Sequence, residues 1–146
     1  MKQIGEIIEG HPLFHVSPAA SVRDAARTMS EHKIGAIAVL DAGKLVGIFS
    51  ERDVLTRIVS DGRNPDETRV ESVMTKEIIV AAPSDDINEA LQKMRDCNCR
   101  HLPVVHAGNL VGMISIRDLL QVDDDANRAQ ATFLRELVTY SPDYET

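Results

Sequence analysis

No run of apolar residues in this chain approaches the roughly eighteen that a membrane-spanning helix needs, so a helical membrane protein is excluded. A signal peptide is not expected either, because the opening Met-Lys-Gln-Ile-Gly-Glu-Ile-Ile-Glu has acids and a glycine where a continuous apolar stretch would stand. The expected compartment is the cytoplasm. Cysteine is scarce: the pair Cys97 and Cys99 is separated by a single residue. In an extended segment their Cα atoms would stand about 6.6 Å apart, the far limit for a disulfide, which favours two reduced thiols. Cations are outnumbered, and the net charge of −7 argues against a nucleic-acid surface, which is held mainly by clustered Lys and Arg. Six acids against two arginines fall in residues 121 to 146, while residues 1 to 120 hold seventeen acids against fourteen bases. A body so near balance can still hold a small anion at one focused site. Finally, there is no P-loop, no GxGxxG opens a helix after a strand, and none of the five histidines has a spacing that suggests a general base. A binding module is expected, not an enzyme.

What the chain does contain is the same sentence twice. Pro18 to Leu55 and Pro83 to Leu120 align without a gap when the numbering advances by 65, with about a third of the positions identical. The identities bunch in A-G-x-L-V-G-x-x-S-x-R-D-x-L near the end of each copy. A duplicated unit that cannot bury its own apolar face stacks on its twin. With 146 residues and 43% apolar content, two half-domains sharing one core with a cleft between them are expected.

The order of elements is the same in each copy. Leu13 to Val16 and Ile78 to Ala81 are short apolar runs halted by Pro18 and Pro83, which reads as strand then turn. Val22, Ala25, Ala26 and Met29 repeat as Ile87, Ala90, Leu91 and Met94, at a spacing that gathers all four on one helical face. Ser21 with Asp24, and Asp86 with Glu89, stand where an N-cap and its N3 partner would. Ala36 to Leu40 and Leu45 to Phe49, like Leu102 to Val105 and Leu110 to Ile114, flank a glycine-bearing turn and read as hairpins. A second helix follows, starting at Ser50 or Ser115. Ser60 to Arg69 reads as a surface linker, and Val70 to Thr75 resembles Ile4 to Glu9, giving each half a lead-in expected to pack on the other half.

The strongest identities carry chemistry of two kinds. Ser50 followed three residues later by Asp53, and Ser115 followed by Asp118, can be plain helix capping, worth about 1 kcal/mol. Capping requires neither the intervening Arg52 and Arg117 nor the upstream Gly47 and Gly112. A carboxylate can also accept from the adjacent hydroxyls of a ribose, while backbone N–H groups at a helix start suit phosphate.

Gly47-Ile48-Phe49-Ser50-Glu51-Arg52-Asp53 and Gly112-Met113-Ile114-Ser115-Ile116-Arg117-Asp118, with Val73-Met74-Thr75 and Arg100-His101-Leu102-Pro103-Val104-Val105, resemble the signature of cystathionine-β-synthase (CBS) domains. The resemblance covers about residues 1 to 122 and implies an α/β fold. In that fold tandem CBS motifs, each β-α-β-β-α, are related by a pseudo-two-fold axis as a stand-alone Bateman module. The expected divisions are residues 1–62, 63–122 and an acidic helical tail at 123–146. The resemblance further implies a regulatory module sensing AMP, ATP or NAD(H), with S-adenosylmethionine also open, and relaying occupancy to a partner protein. Ser50 and Ser115 would touch ribose or phosphate, Asp53 and Asp118 the ribose hydroxyls, and Arg52 and Arg117 the phosphates. Gly35, Ala36 and Ile37, with Arg100, His101, Leu102 and Pro103, would offer backbone and small side chains to the adenine edge, and Lys33, Arg100 and His101 are further phosphate candidates. A homodimer is expected, with the tail stripe Phe133, Leu137 and Tyr140 contributing. No metal is expected. The alternative is a redox- or metal-responsive interaction protein acting through Cys97, Cys99 and His101, which alternate along the chain.

Overall fold

The structure, a computed structural model, describes residues 2–122 and Arg135. The tail stripe and its expected helix lie outside the described residues. The elements run α1 (Ile4–Ile8), β1 (His15–Val16), α2 (Val22–His32), β2 (Ala36–Asp41), β3 (Lys44–Ser50), α3 (Glu51–Asp53) continuing as a π-helical turn (Val54–Val59), a 3-10 turn (Val70–Ser72), α4 (Ile87–Cys97), β4 (His101–His106), β5 (Asn109–Ser115) and α5 (Ile116–Leu120). The α/β class expected from the sequence is present, and the element order repeats except for the strand expected before α4.

Two compact units emerge among the described residues, one of Pro12–Ile78 with Ala107–Val111, the other of residues 2–11, Ile79–His106 and 112–122. Each has its own buried cluster, where the sequence suggested one shared core. In the unit of the first repeat, Val22, Ala25 and Met29 of α2 pack with Ile37, Val39, Phe49, Ile58, Val70 and Val73. In the other, Ile87, Ala90, Leu91 and Met94 of α4 pack with Ile4, Ile8, Leu102, Val104, Ile114, Ile116 and Leu119. The helices begin where the sequence placed them. Ser21 Oγ accepts from the Asp24 N–H, and the Asp86 carboxylate accepts from the Glu89 N–H while the Glu89 carboxylate accepts from the Asp86 N–H.

Each unit takes its lead-in from the other repeat. Ile4 N–H donates to Asp85 O at 2.8 Å and Gly5 N–H to Pro83 O at 2.9 Å; in the same pattern Val70 N–H donates to Ala20 O at 2.9 Å and Glu71 N–H to Pro18 O at 3.0 Å. A glycine of the repeated signature receives each lead-in. A Cβ built on Gly112 would stand 2.5 Å from Ile8 Cδ1, and one on Gly47 would run into the Met74 side chain. These glycines are therefore needed for close approach, a packing reason that composition alone does not reveal.

Both hairpins turn through two residues with positive φ, Ala42 (51°) and Gly43 (81°) in one, Ala107 (52°) and Gly108 (80°) in the other, the backbone that right-twisted strands favour. One expected strand shrinks. His15 and Val16 pair in parallel with Ala38 and Val39, but Ile78 to Ala81 keeps only the single bridge of Ala81 to Val104. Pro103 occupies the place of Ala38 and has no N–H to extend the ladder.

The second repeat also holds a charge pair that the first lacks. Lys93 Nζ donates to Asp85 Oδ2 at 2.7 Å and to Val80 O at 3.0 Å, and the Ala82 N–H donates to the same Asp85 oxygen at 3.0 Å. Burial, the largest influence, pushes the Asp85 carboxyl upward, but the Lys93 hydrogen bond, the Ala82 N–H, the Lys93 charge and a Glu89 contact together outweigh it and leave Asp85 below the ordinary carboxylate range.

Two predictions follow from this packing. Gly112→Ala should lose roughly 1–3 kcal/mol through overpacking, and in urea titrations the double variant Gly112→Ala/Ile8→Ala should lose less than the sum of the single variants. A depressed carboxylate contributes stability that is complete above its unfolded value of about 3.9 and disappears as pH falls through the lower folded value. The urea midpoint of the native chain should therefore drop below about pH 4 more steeply than that of Asp85→Asn, which should be weaker by about 1 kcal/mol at pH 7.

Candidate functional site

Each unit contains one corner where a strand hands over to a helix. Ser50 (φ −120°, ψ 165°) and Ser115 (φ −108°, ψ 163°) are the last, extended residues of β3 and β5 and also the N-caps of α3 and α5. The Asp53 N–H donates to Ser50 Oγ at 3.2 Å and the Ser50 N–H to Asp53 Oδ2 at 2.9 Å. The Asp118 N–H donates to Ser115 Oγ at 3.1 Å and the Ser115 N–H to Asp118 Oδ2 at 2.7 Å. A further bond ties the corner to the adjoining strand: Glu51 N–H donates to Gly35 O at 3.0 Å and Ile116 N–H to Arg100 O at 2.8 Å.

Capping and ligand contact, weighed against each other from sequence, are compatible here. The reciprocal box uses one oxygen of each carboxylate and fixes its direction; the second oxygen remains an acceptor at Asp118, while at Asp53 it faces the Arg57 guanidinium. Asp53 is 7% exposed, and Asp118 is half-buried. A carboxylate held this way suits donors from a polyol.

The remaining sequence candidates are distributed unevenly. In the unit of the first repeat, Gly35 reaches the corner through its carbonyl and Ala36 pairs with Ser50 across the β2–β3 ladder. Ile37 is fully buried in that unit's core and pairs with Phe49 across the ladder, so its side chain does not face a guest. Arg52 is half-buried, while Lys33 is exposed and holds the left-handed C-cap of α2. In the other unit Arg100 is 8% exposed and reaches the corner through its carbonyl. Leu102 is fully buried in the core and Pro103 is buried as well, with the Pro103 carbonyl taken by the Ala81 N–H. His101 is half-buried and Arg117 exposed. One residue escaped the sequence reading, Arg57, whose Nε lies 3.5 Å from Asp53 Oδ1; its place four residues after Asp53 on a helix was the available signal. A concavity of 340 Å³ beside Gln3, Glu6, Glu9, Ser84 and His106 shares no residue with either corner.

The cysteines require a correction. Cys97 and Cys99 are joined as a disulfide with their Cα atoms 5.3 Å apart, where an extended segment and two free thiols were expected. The reason is Asn98, the C-cap of α4, whose left-handed backbone (φ 52°, ψ 44°) folds the segment back. The separation then falls within disulfide range, and the geometric argument for a reduced compartment is lost. Among the described residues no group of three His, Cys, Asp or Glu is placed to hold a metal ion, and no helix is long and apolar enough to cross a membrane.

A family model for the CBS domain matches the chain twice, at residues 4–60 and 70–125. The chain belongs to the CBS domain family. The mitochondrial CBS domain-containing protein CBSX3 of Arabidopsis thaliana is 35% identical over 126 residues, which is 83% of this chain and 61% of that protein. An uncharacterized protein of Methanopyrus kandleri is 35% identical over 109 residues, 73% of this chain and 56% of its own; the chain thus spans about three fifths of the length of these relatives. Among solved structures, a CBS domain protein from Pyrobaculum aerophilum complexed with AMP superposes with a TM-score of 0.77 at 27% identity, over 90% of this chain and 98% of that one. The tandem CBS architecture expected from the duplicated signature is thereby established.

Loss of the cap should be measurable without any ligand: Ser115→Ala should destabilise the chain by about 1 kcal/mol in urea titration.

Proposed function

We propose that the chain is a regulatory ligand-binding module that senses adenine nucleotides or related adenosyl ligands (AMP, ATP or NAD(H)) and relays occupancy to a partner protein. The observation that carries this reading is the duplicated corner, in which the backbone aims Asp53 and Asp118 while binding one oxygen of each. A ribose presents neighbouring hydroxyls to such an acceptor, and the AMP held by the Pyrobaculum relative supports an adenosyl guest. Arg52, Arg100, Arg117 and Lys33 carry the positive charge from which phosphate contacts would come, with His101 as a further candidate. The reading assigns no catalysis. It includes a homodimer, for which the support is Leu55 and Val59, one helical turn apart and 48% and 66% exposed.

The disulfide favours a second reading, in which the chain responds to redox state through Cys97 and Cys99, immediately before Arg100 and His101.

A thermal-shift panel of AMP, ADP, ATP, NAD, NADH and S-adenosylmethionine tests both readings. The best ligand, at a hundredfold above its Kd, should raise Tm by roughly 5–10 °C, and the double variant Asp53→Ala/Asp118→Ala should lose the shift. An undiminished shift in that variant overturns the site assignment. In Cys97→Ser/Cys99→Ser the nucleotide reading expects the shift to survive, and the redox reading expects it to vanish.

A further inference from the structure

The two corners share a backbone design but not an electrostatic setting. In the unit of the first repeat, Asp53 Oδ2 accepts from the Ser50 N–H at 2.9 Å, and Oδ1 faces Arg57 Nε at 3.5 Å. That guanidinium is anchored a second time, since Arg57 Nη1 donates to Val73 O at 2.6 Å. It is therefore held in place by the lead-in segment as well as by the carboxylate. In the other unit Asp118 makes the same bond to the Ser115 N–H, at 2.7 Å, but the residue four positions on is Val122. Among the described residues no cation pairs with Asp118. The helices differ accordingly: the one after Ser50 continues through the π-helical turn Val54–Val59 that carries Arg57, whereas α5 ends at Leu120.

A sugar diol binds a carboxylate by donating hydroxyl hydrogens to it, and such bonds draw their strength from the full negative charge of the acceptor. At Asp53 that charge is shared with a guanidinium covering the oxygen the capping box leaves over. A guest there must either displace Arg57, which costs its ion pair and disturbs the Val73 contact, or accept a weaker acceptor. Asp118 imposes neither cost.

Resting on the adenosyl-ligand reading above, we propose that the two corners bind unequally. Asp118 is the principal sugar-binding carboxylate, and Arg57 is an intramolecular competitor that masks Asp53, so that one adenosyl guest per chain binds tightly. Arg57 is in these terms a specificity-determining residue that acts through Asp53.

Calorimetric titration of the full chain with AMP provides the test. The native chain should bind one AMP in its tight phase. Asp118→Asn should weaken that phase at least tenfold, a loss of about 1.4 kcal/mol or more, and should weaken it more than Asp53→Asn does. Arg57→Val, which gives the first corner the side chain type of the second, should raise the tight stoichiometry to two, an outcome that a merely structural role for Arg57 does not produce. Val122→Arg should impose the competitor on Asp118 and weaken the tight phase, which keeps the proposal falsifiable if Arg57→Val does not fold. Two equal sites in the native chain, or loss of the tight phase in Asp53→Asn with its retention in Asp118→Asn, would overturn the inference while sparing the nucleotide reading. No binding of AMP to the native chain, together with no thermal shift from any ligand of the panel, would overturn both.

Discussion

A pair of reciprocal hydrogen bonds, exchanged between a strand-ending serine and the aspartate three residues later, organises each half of this protein. The serine hydroxyl receives an N–H that the helix cannot use internally, and the carboxylate returns a bond to the serine's own N–H. Because both partners are satisfied locally, the chain can turn sharply from β3 or β5 into a helix. The carboxylate remains part-buried and yet fixed in direction. Burying an acid without such partners would cost several kcal/mol, so the box is what permits an acidic side chain at this position in the first place.

Around that corner the packing is organised by exchange. Met74 of the second lead-in, and Ile8 of the first, belong to the unit whose glycine they cover. Gly47 and Gly112 lie in the strands that lead to Ser50 and Ser115, so the close approach of the lead-in and the placement of the carboxylate belong to the same strand. A side chain at the glycine would disturb both at once, which accounts physically for the glycine and the Ser-x-x-Asp step occurring together in each copy.

Much of this was legible in the sequence because it rests on local physics repeated twice. The apolar spacing of Val22 to Met29 and of Ile87 to Met94, the caps at Ser21 and Asp86, and the glycine turns all announced elements that the structure contains. What was not legible depends on pairing across distance or on a single dihedral angle. The strand expected at Ile78 to Ala81 failed because Pro103, on its partner strand, offers no donor. The thiols met because Asn98 adopts a left-handed conformation that extended geometry does not include. Arg57 drew no attention because nothing in its sequence environment shows that its guanidinium also reaches the Val73 carbonyl, sixteen residues away. The burial of Ile37 and Leu102 could be suspected from strand alternation, but which face each strand turns inward is fixed only by its neighbours.

The exchange of lead-in segments has a consequence for how the protein emerges from the ribosome. Nearly all of the unit built on the first repeat is contiguous from Pro12 to Ile78, so its core can close once that stretch is free. The helix Ile4–Ile8, made before the first repeat, finds its hydrogen-bonding partners Pro83 and Asp85 and its glycine Gly112 only after both repeats have largely been synthesised. Vectorial synthesis thus leaves an apolar segment waiting, with a long loop to close before its burial is rewarded. For this fold the lead-in made ahead of the first repeat is among the last parts to find its place.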